Sequence, residues 1–332
     1  MDILKPNYYD HFHCIAGACP DSCCKGWAVE VDADSAAMYL NLPGELGDKL
    51  RRHLTLEDGE RILSLEADGR CPMWREDGLC RIHAQLGKNA LCETCRDFPR
   101  LRHDYGSFQE LGLELSCPEA ARLLLERQDW GYTVTQAPGG DEPDYDPEVM
   151  EILQRTRKEL LTFLQTTRLP AGEALAVMLL YSHGAQAEID GGAPAAFTPE
   201  DLSRAKQLAL PGDEKAALAF FTQLDILNPA WLRRLEAPRG SAWEQRHLAM
   251  ACYFVERHWL QAVSDFDLIS RAKLAVIACL TVKLLGGNLP ETAQRFSKEI
   301  ENDPDNLDAL LDAAYTEPAF TDRTLLGLLL QA

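Results

Sequence analysis

Positive charge is scarce in this chain. Lys and Arg number 33 against 52 Asp and Glu, a net charge of −19 over 332 residues. Phosphate backbones are held by clusters of Lys and Arg, so no nucleic-acid partner is expected. Long apolar runs are missing too. No stretch approaches the roughly 18 consecutive apolar residues of a membrane helix, so no membrane span is expected. The opening Met1-Asp2-Ile3-Leu4-Lys5-Pro6 is not a basic start followed by an apolar run, so no signal peptide is expected and the chain reads as cytoplasmic. The glycine pattern G-x-G-x-x-G of dinucleotide sites, the P-loop pattern and H-E-x-x-H are all absent. The spacing C-x3-C-x2-C fails because Cys19 and Cys23 are followed by Gly26.

A hydrophobic fraction of 46% with 26% charged residues describes a folded globular chain. Its length suggests about two domains. The acidity is spread over both halves, and it suits a lysine-bearing partner.

Cysteine is where the chain is rich. Of 11 cysteines, nine fall in the first 117 residues: Cys14, Cys19, Cys23, Cys24, Cys71, Cys80, Cys92, Cys95 and Cys117. Cys252 and Cys279 stand apart and read as buried small hydrophobes. In a reducing compartment, clustered thiols point to metal binding and not to disulfides. The adjacent Cys23 and Cys24 agree. A disulfide needs Cα atoms about 4.4–6.8 Å apart, whereas a trans peptide sets about 3.8 Å. Two adjacent thiolates can serve different metal atoms, or one can ligate while the other packs. Cys92-x2-Cys95 has a common metal-site spacing, since both sulfurs can approach one ion to about 2.3 Å. Coordination would also remove much of the repulsion among nine thiolates.

Cysteine density and element patterns suggest a mainly α fold. A small irregular α+β cysteine-rich metal-binding domain (1–135) is followed by a linker (136–147) and an all-helical domain (148–332). Three prolines and two glycines between Ala137 and Pro147 mark the linker. Beyond it, apolar periodicity and start signals place helices from Pro147 onward, around 174–180, after Thr198-Pro199-Glu200-Asp201, and around 213–227, 241–263, 267–285, 289–301, 305–314 and 321–330. Trp27–Val31 alternates like a short strand. Residues 116–127 read as a helix opened by Cys117-Pro118, whose unpaired N–H groups should lower the Cys117 pKa.

Cys71–His83 reads as a hairpin turning at Asp77-Gly78. In that register Arg75 faces Cys80, and Cys71 lies four strand positions from the partner of Cys80, about 13 Å. Either Cys71-Pro72 bends the chain inward, or the two thiols serve different atoms or sites. His83 points to the opposite face and is a weak ligand candidate.

Five motifs together resemble the flagellin lysine-N-methylase family, part of a wider group of zinc- or iron-chelating cysteine-rich proteins. They are Phe12-x-Cys14-x4-Cys19-x3-Cys23-Cys24-x-Gly26-Trp27, Cys71-Pro72, Gly78-Leu79-Cys80-x-Ile82-His83, Cys95-Arg96-x-Phe98-Pro99-Arg100 and Ser116-Cys117-Pro118-Glu119. Fainter echoes are Arg257-His258-Trp259-Leu260 and Asp267-Leu268-Ile269-x-Arg271. Cys92 fits the pattern least well.

The resemblance implies protein-lysine N-methylation of flagellin or a similar protein, with S-adenosylmethionine as donor and an iron–sulfur cluster, 4Fe-4S in preference to zinc. All nine clustered cysteines are candidate ligands. Three cysteines on a cluster would leave one iron open to the donor's amino and carboxylate groups, which suits a sequence without a glycine-rich donor site. Arg96 and Arg100 could bind that carboxylate, or pair with Asp97, Glu93 or Glu119. Tyr8, Tyr9, Asp21 and Glu119 are candidates to take the lysine proton. Trp27 and Trp74 could cage a cationic amine, though core packing is the simpler role. His247 and His258 suit helix packing better than ligation. Two other readings fit the same residues: a non-catalytic zinc-binding interaction module, and an iron–sulfur redox protein.

Overall fold

In the computed structural model, which describes residues 1–57 and 59–331, the chain starts as strand β1 (Asp2–Pro6) and leaves its sheet for the first cysteine loop, 12–28. A small lobe follows: β2 (Val29–Glu30), α1 (Ala33–Asn41), α2 (Gly44–His53), and the hairpin of β3 (Leu54–Glu57) and β4 (Glu60–Leu63). Next come the 71–80 turns and the short helices α3 (Arg81–Leu86) and α4 (Glu93–Asp97). Strands β5 (Arg100–Asp104) and β6 (Phe108–Leu113) lead back to α5 (Pro118–Glu126) and β7 (Tyr132–Gln136).

Helices fill the remainder. They are α6 (Pro147–Thr166), α7 (Ala171–Ile189), α8 (Asp201–Leu208), α9 (Glu214–Phe221), α10 (Pro229–Glu236), α11 (Gln245–His258), α12 (Leu268–Leu285), α13 (Leu289–Phe296), α14 (Pro304–Thr316) and α15 (Asp322–Leu330). The fold is mainly α, as its patterning suggests. No helix among the described residues is long and apolar enough to cross a membrane.

Two sheets hold the cysteine-bearing stretch in place. One has the order β5-β6-β1-β7, with β1 parallel to β6 and antiparallel to β7. The other is the antiparallel order β2-β4-β3. Apolar residues form two cores. The small one gathers Val29, Val31, Tyr39, Leu50, Leu63, Met73 and Ile82 with buried Cys71 and Cys92. The large one is centred on α12, in which every residue except Arg271 is buried. It also takes in Tyr8, Phe12, Phe108, Leu115 and α5. Cys252 and Cys279 lie deep within it, 1% and 0% exposed, as small hydrophobes should.

Several local expectations need correction. The strand read at Trp27–Val31 shrinks to Val29–Glu30, the part that finds a partner in β4. Thr198 does not cap α8, because the Asp201 carboxylate accepts from both its N–H and its hydroxyl at 2.7 Å. The helix therefore starts at Asp201. Residues 239–241 pair with the end of α12 instead of opening α11: Gly240 N donates to Leu284 O at 2.9 Å. The Asp77-Gly78 turn is real, with Gly78 at φ 76°, but its register differs. Trp74 faces Cys80 in a single bridge, Arg75 N donates to Leu79 O at 2.9 Å, and α3 starts at once. Cys71 sits in its own turn, its carbonyl accepting from Trp74 N at 2.9 Å. The chain bends inward there, and the 13 Å separation of a regular ladder does not apply.

Asp146 illustrates how the helical body is anchored. Its carboxylate accepts from Glu148 N at 2.9 Å and Val149 N at 3.3 Å, with Pro147 in the first turn. Asp146→Ala is expected to cost about 1 kcal/mol, read as a lower midpoint in denaturant unfolding.

Candidate functional site

Of the nine thiols, Cys24, Cys71, Cys80 and Cys92 pack in or against the small core and Cys117 against the large one. All nine are free of disulfides. Cys71 and Cys92 are buried, Cys19, Cys24, Cys80 and Cys117 half-buried, and Cys14, Cys23 and Cys95 exposed. The backbone joins the pieces: Cys71 N donates to Cys24 O at 2.8 Å, and Gly26 N to Gly69 O at 3.0 Å. Gly26 holds φ at 104°, a conformation that disfavours any side chain.

A second set of contacts ties this loop to the helical body. Between α13 and α14 the chain makes a π turn, Ser297–Glu301, with all five residues buried. Such turns shift helix phase and often occur at functional sites. This one projects Lys298 into the cysteine loop. Its Nζ lies 2.9 Å from Asp21 Oδ1 and 4.6 Å from the Trp27 ring centroid. Gln294 Nε2 donates to Asp21 Oδ2 at 2.9 Å and to Ser116 O at 2.7 Å, clamping the 19–23 loop to the residue before Cys117.

Behind Ser116 lies a buried polar network. Glu301, with a fully buried side chain, accepts from His258 Nε2 at 2.8 Å, Arg257 Nε at 3.2 Å, Tyr253 and Ser297. Arg257 continues to Glu114, which accepts from Ser116 Oγ at 3.4 Å. His258 therefore serves packing and donates a hydrogen bond to Glu301, and His247 serves the start of α11, where its Nδ1 accepts from Glu244 N at 3.0 Å. Both are buried.

Thiol acidity follows these surroundings. The Cys24 thiol falls to about 7, first through a hydrogen bond from Cys23 and then with help from Ser22 and Lys298, against burial. Cys23 rises as the proton-holding partner. Cys92 is lowered, first by a hydrogen bond from Cys95, which rises in turn. Burial pushes Cys71 up to about 12 and raises Cys80. Cys117 reverses the expectation for a helix start. Burial pushes it up to about 11, outweighing the N–H groups of Ala120 and Glu119.

The other candidates are spread around this centre. Arg96 pairs with Glu93 at 3.4 Å and Asp97 at 3.5 Å. Arg100 lies over the Phe12 and Tyr9 rings, 5.1 and 5.8 Å from their centroids. Glu119 is bound to Arg122 at 2.7 Å. Burial raises the Tyr8 and Tyr9 hydroxyls. Trp27 and Trp74 do not form a shared cage: Lys298 lies over the first ring and Arg70 over the second, at 5.5 Å. His83 is exposed on α3.

Lys298, Gln294 and Glu301 escape a sequence reading. The one available signal is a run of polar residues, Ser297-Lys298-Glu299, interrupting the apolar stripe of 289–301.

Among the described residues, no three His, Cys, Asp or Glu side chains close on one point as a metal ion requires. The donor chemistry nonetheless fits a soft site. An all-thiol set suits zinc or an iron–sulfur cluster, and the Cys23–Cys24 and Cys92–Cys95 pairs each lower one thiol toward the thiolate that ligation uses.

The fold is mainly α, with nine free cysteines carried on the short strands, turns and helices that precede its helical remainder. The chain is 33% identical over 141 residues to the flagellar biosynthetic protein FliU of Salmonella muenchen, a match covering 39% of this chain and 80% of that protein. It is 34% identical over 135 residues to the lysine-N-methylase of Salmonella choleraesuis strain SC-B67, and 33% identical over 135 residues to that of Salmonella typhimurium strain LT2. These two matches cover 39% of this chain but only 34% of either lysine-N-methylase. No protein-family model matches the chain, and no solved structure matches it. The chain belongs to the flagellin lysine-N-methylase family.

Proposed function

We propose that this protein is a protein-lysine N-methyltransferase acting on flagellin or a similar lysine-bearing protein. Its donor is S-adenosylmethionine, and its clustered cysteines hold an iron–sulfur cluster, 4Fe-4S in type. The observation that carries this reading is the presence of nine free thiols within the first 117 residues of a member of this family. When bound, a cluster with one open iron would supply a chelation point for the donor's amino and carboxylate groups.

The chain's own residues do the rest. Cys14, Cys19, Cys23, Cys24, Cys71, Cys80, Cys92, Cys95 and Cys117 form the ligand pool. Arg96 and Arg100 flank it, and Arg100 makes no ion pair among the described residues. A guanidinium presents a fork of donors that matches a carboxylate, so Arg100 is the better placed of the two to orient the donor. The substrate amine attacks only after losing its proton. Of the four candidate acceptors, Asp21 is the carboxylate within the thiol loop, fixed by Lys298 and Gln294. The net charge of −19 draws lysine-bearing surfaces toward the protein.

Protein isolated without oxygen is expected to be brown and to contain iron and acid-labile sulfide. Stoichiometric zinc with no iron would refute the cofactor assignment.

A further inference from the structure

A strand at the edge of a sheet offers unpaired N–H and C=O groups to any other chain, and proteins usually guard such edges with charge, proline or short length. Three of the four edges here are guarded. β5 carries Arg100, Arg102, His103 and Asp104. In the second sheet β2 is two residues long, and β3 ends in Glu57. β7 is different. Its sequence Tyr132-Thr133-Val134-Thr135-Gln136 runs five residues with no charge and no proline, and all five are exposed. Its β-branched centre suits an extended chain. Val134 is 56% and Tyr132 41% exposed, unusual for large apolar side chains beside a core.

The ladder shows which backbone groups are free. β7 is antiparallel to β1, with Tyr132 opposite Pro6 and Gln136 opposite Asp2. Just outside it, Asn7 N donates to Gly131 O at 3.0 Å and Ala137 N to Met1 O at 3.1 Å. Bonded and non-bonded pairs alternate along an antiparallel ladder. Thr133 and Thr135 therefore spend their N–H and C=O on β1, while Tyr132, Val134 and Gln136 direct theirs outward. An added strand would find a ready ladder there and would shield Val134.

Charge states what kind of strand fits. Glu126, Asp129, Asp141, Glu142, Asp144 and Asp146 flank β7 and are all exposed. The one cation from 126 to 146, Arg127, is buried and paired with Glu256 at 2.8 Å. Of the six acids only Glu126 meets a cation among the described residues, Arg122 at 3.5 Å. An uncharged ladder between unneutralised acids suits a segment that carries lysines. It opposes a second copy of this chain, which would bring the same acids face to face.

We propose that β7 is a docking edge on which a lysine-bearing segment of a partner protein adds to the sheet as an extra strand. Main-chain hydrogen bonds supply the affinity, and the flanking acids select for lysine. That this partner is the protein to be methylated rests on the proposed methylase reading, but the docking itself does not.

The test is binding to the full-length protein without methyl donor, read by fluorescence anisotropy. Three synthetic peptides are compared: one alternating Lys and Thr, the same peptide with its backbone nitrogens methylated, and one alternating Glu and Thr. Val134→Pro removes an outward N–H and leaves the β1 ladder intact, Val134→Thr keeps that N–H, and circular dichroism checks both folds. The Lys-Thr peptide is expected to bind wild type and Val134→Thr alike and Val134→Pro about tenfold more weakly, as the loss of a main-chain hydrogen bond implies. The methylated and Glu-Thr peptides are expected to bind wild type at least about tenfold more weakly than the Lys-Thr peptide, a comparison that stands even if Val134→Pro does not fold. The proposal is overturned if wild type does not bind the Lys-Thr peptide, if either control peptide binds as tightly, or if folded Val134→Pro binds undiminished. A wild-type dimer in sedimentation that Val134→Pro dissolves would assign the edge to a second copy and also overturn it. Peptide docking at β7 without methylation of flagellin would uphold the docking edge while refuting the methylase reading.

Discussion

Glu301→Ala is expected to destabilise the protein by about 3–5 kcal/mol, the usual result of breaking a buried ion pair from one side. The Glu301 side chain is 0% exposed and Arg257 only 13%. Removing the carboxylate leaves Arg257 with Glu114 and the Tyr253 hydroxyl and strips His258, Tyr253 and Ser297 of their shared acceptor. Denaturant unfolding of the full chain measures the loss, and an unchanged midpoint would contradict the network described.

The same network makes stability depend on acid. Burial alone would push the Glu301 carboxyl up, but Arg257 beside it, with His258 and Ser297, holds it down at about 2. Its contribution is complete above its ordinary value of 4.5 and is lost as pH falls toward 2. Burial lowers His258, His103 and His247 below their ordinary 6.5, the latter two to about 4. These imidazoles are neutral in the fold and protonate first in the unfolded chain, so stability falls as pH drops below about 6.5. Both effects share one sign. Glu301→Gln is expected to flatten the part of the curve below pH 4.5.

Lys298→Met is expected to loosen the thiol loop and slow alkylation of Cys24 at pH 7 by up to about 5-fold, the thiolate lost when a thiol at about 7 rises by as much as one pKa unit. Lys298 lies 2.9 Å from Asp21, over the Trp27 ring, and near enough to favour the Cys24 thiolate. Replacing it by Met keeps the stem's packing and removes the charge. Asp21 keeps Gln294 but loses its cation, which costs about 1.5–3 kcal/mol for a charged hydrogen bond. Peptide mapping after timed iodoacetamide treatment of metal-free protein separates Cys24 from its neighbours. Lys298→Arg restores the rate if charge is the cause. An unaltered Cys24 rate in the Met variant would remove Lys298 from the centre.

Helix starts were readable because capping and proline act within a few residues. Pro147 and Pro118 both open helices in the structure. Strands were not readable, since most span two to five residues and owe their existence to distant partners: β1 pairs with residues 108–110 and 132–136. Pattern arguments see only local neighbours. The cysteine set stood out in the sequence, but the placement of its members did not. Where Cys71 sits depends on its backbone bond to Cys24 and on the inward turn at Cys71–Trp74, both of which a regular hairpin register hides. Lys298 was hidden for a related reason. A regular helix across 289–301 would send its side chain elsewhere, and the π turn rotates it into the loop.

In the proposed function the cysteines carry methyl transfer to lysine. Full-length protein purified without oxygen should be incubated with S-adenosylmethionine labelled in its methyl group and with flagellin, beside a variant with Cys19, Cys23, Cys24 and Cys95 all replaced by serine. Label is expected on flagellin lysines with the wild type and none with the folded variant. Equal labelling by both proteins, or none by iron-loaded wild type, would contradict it.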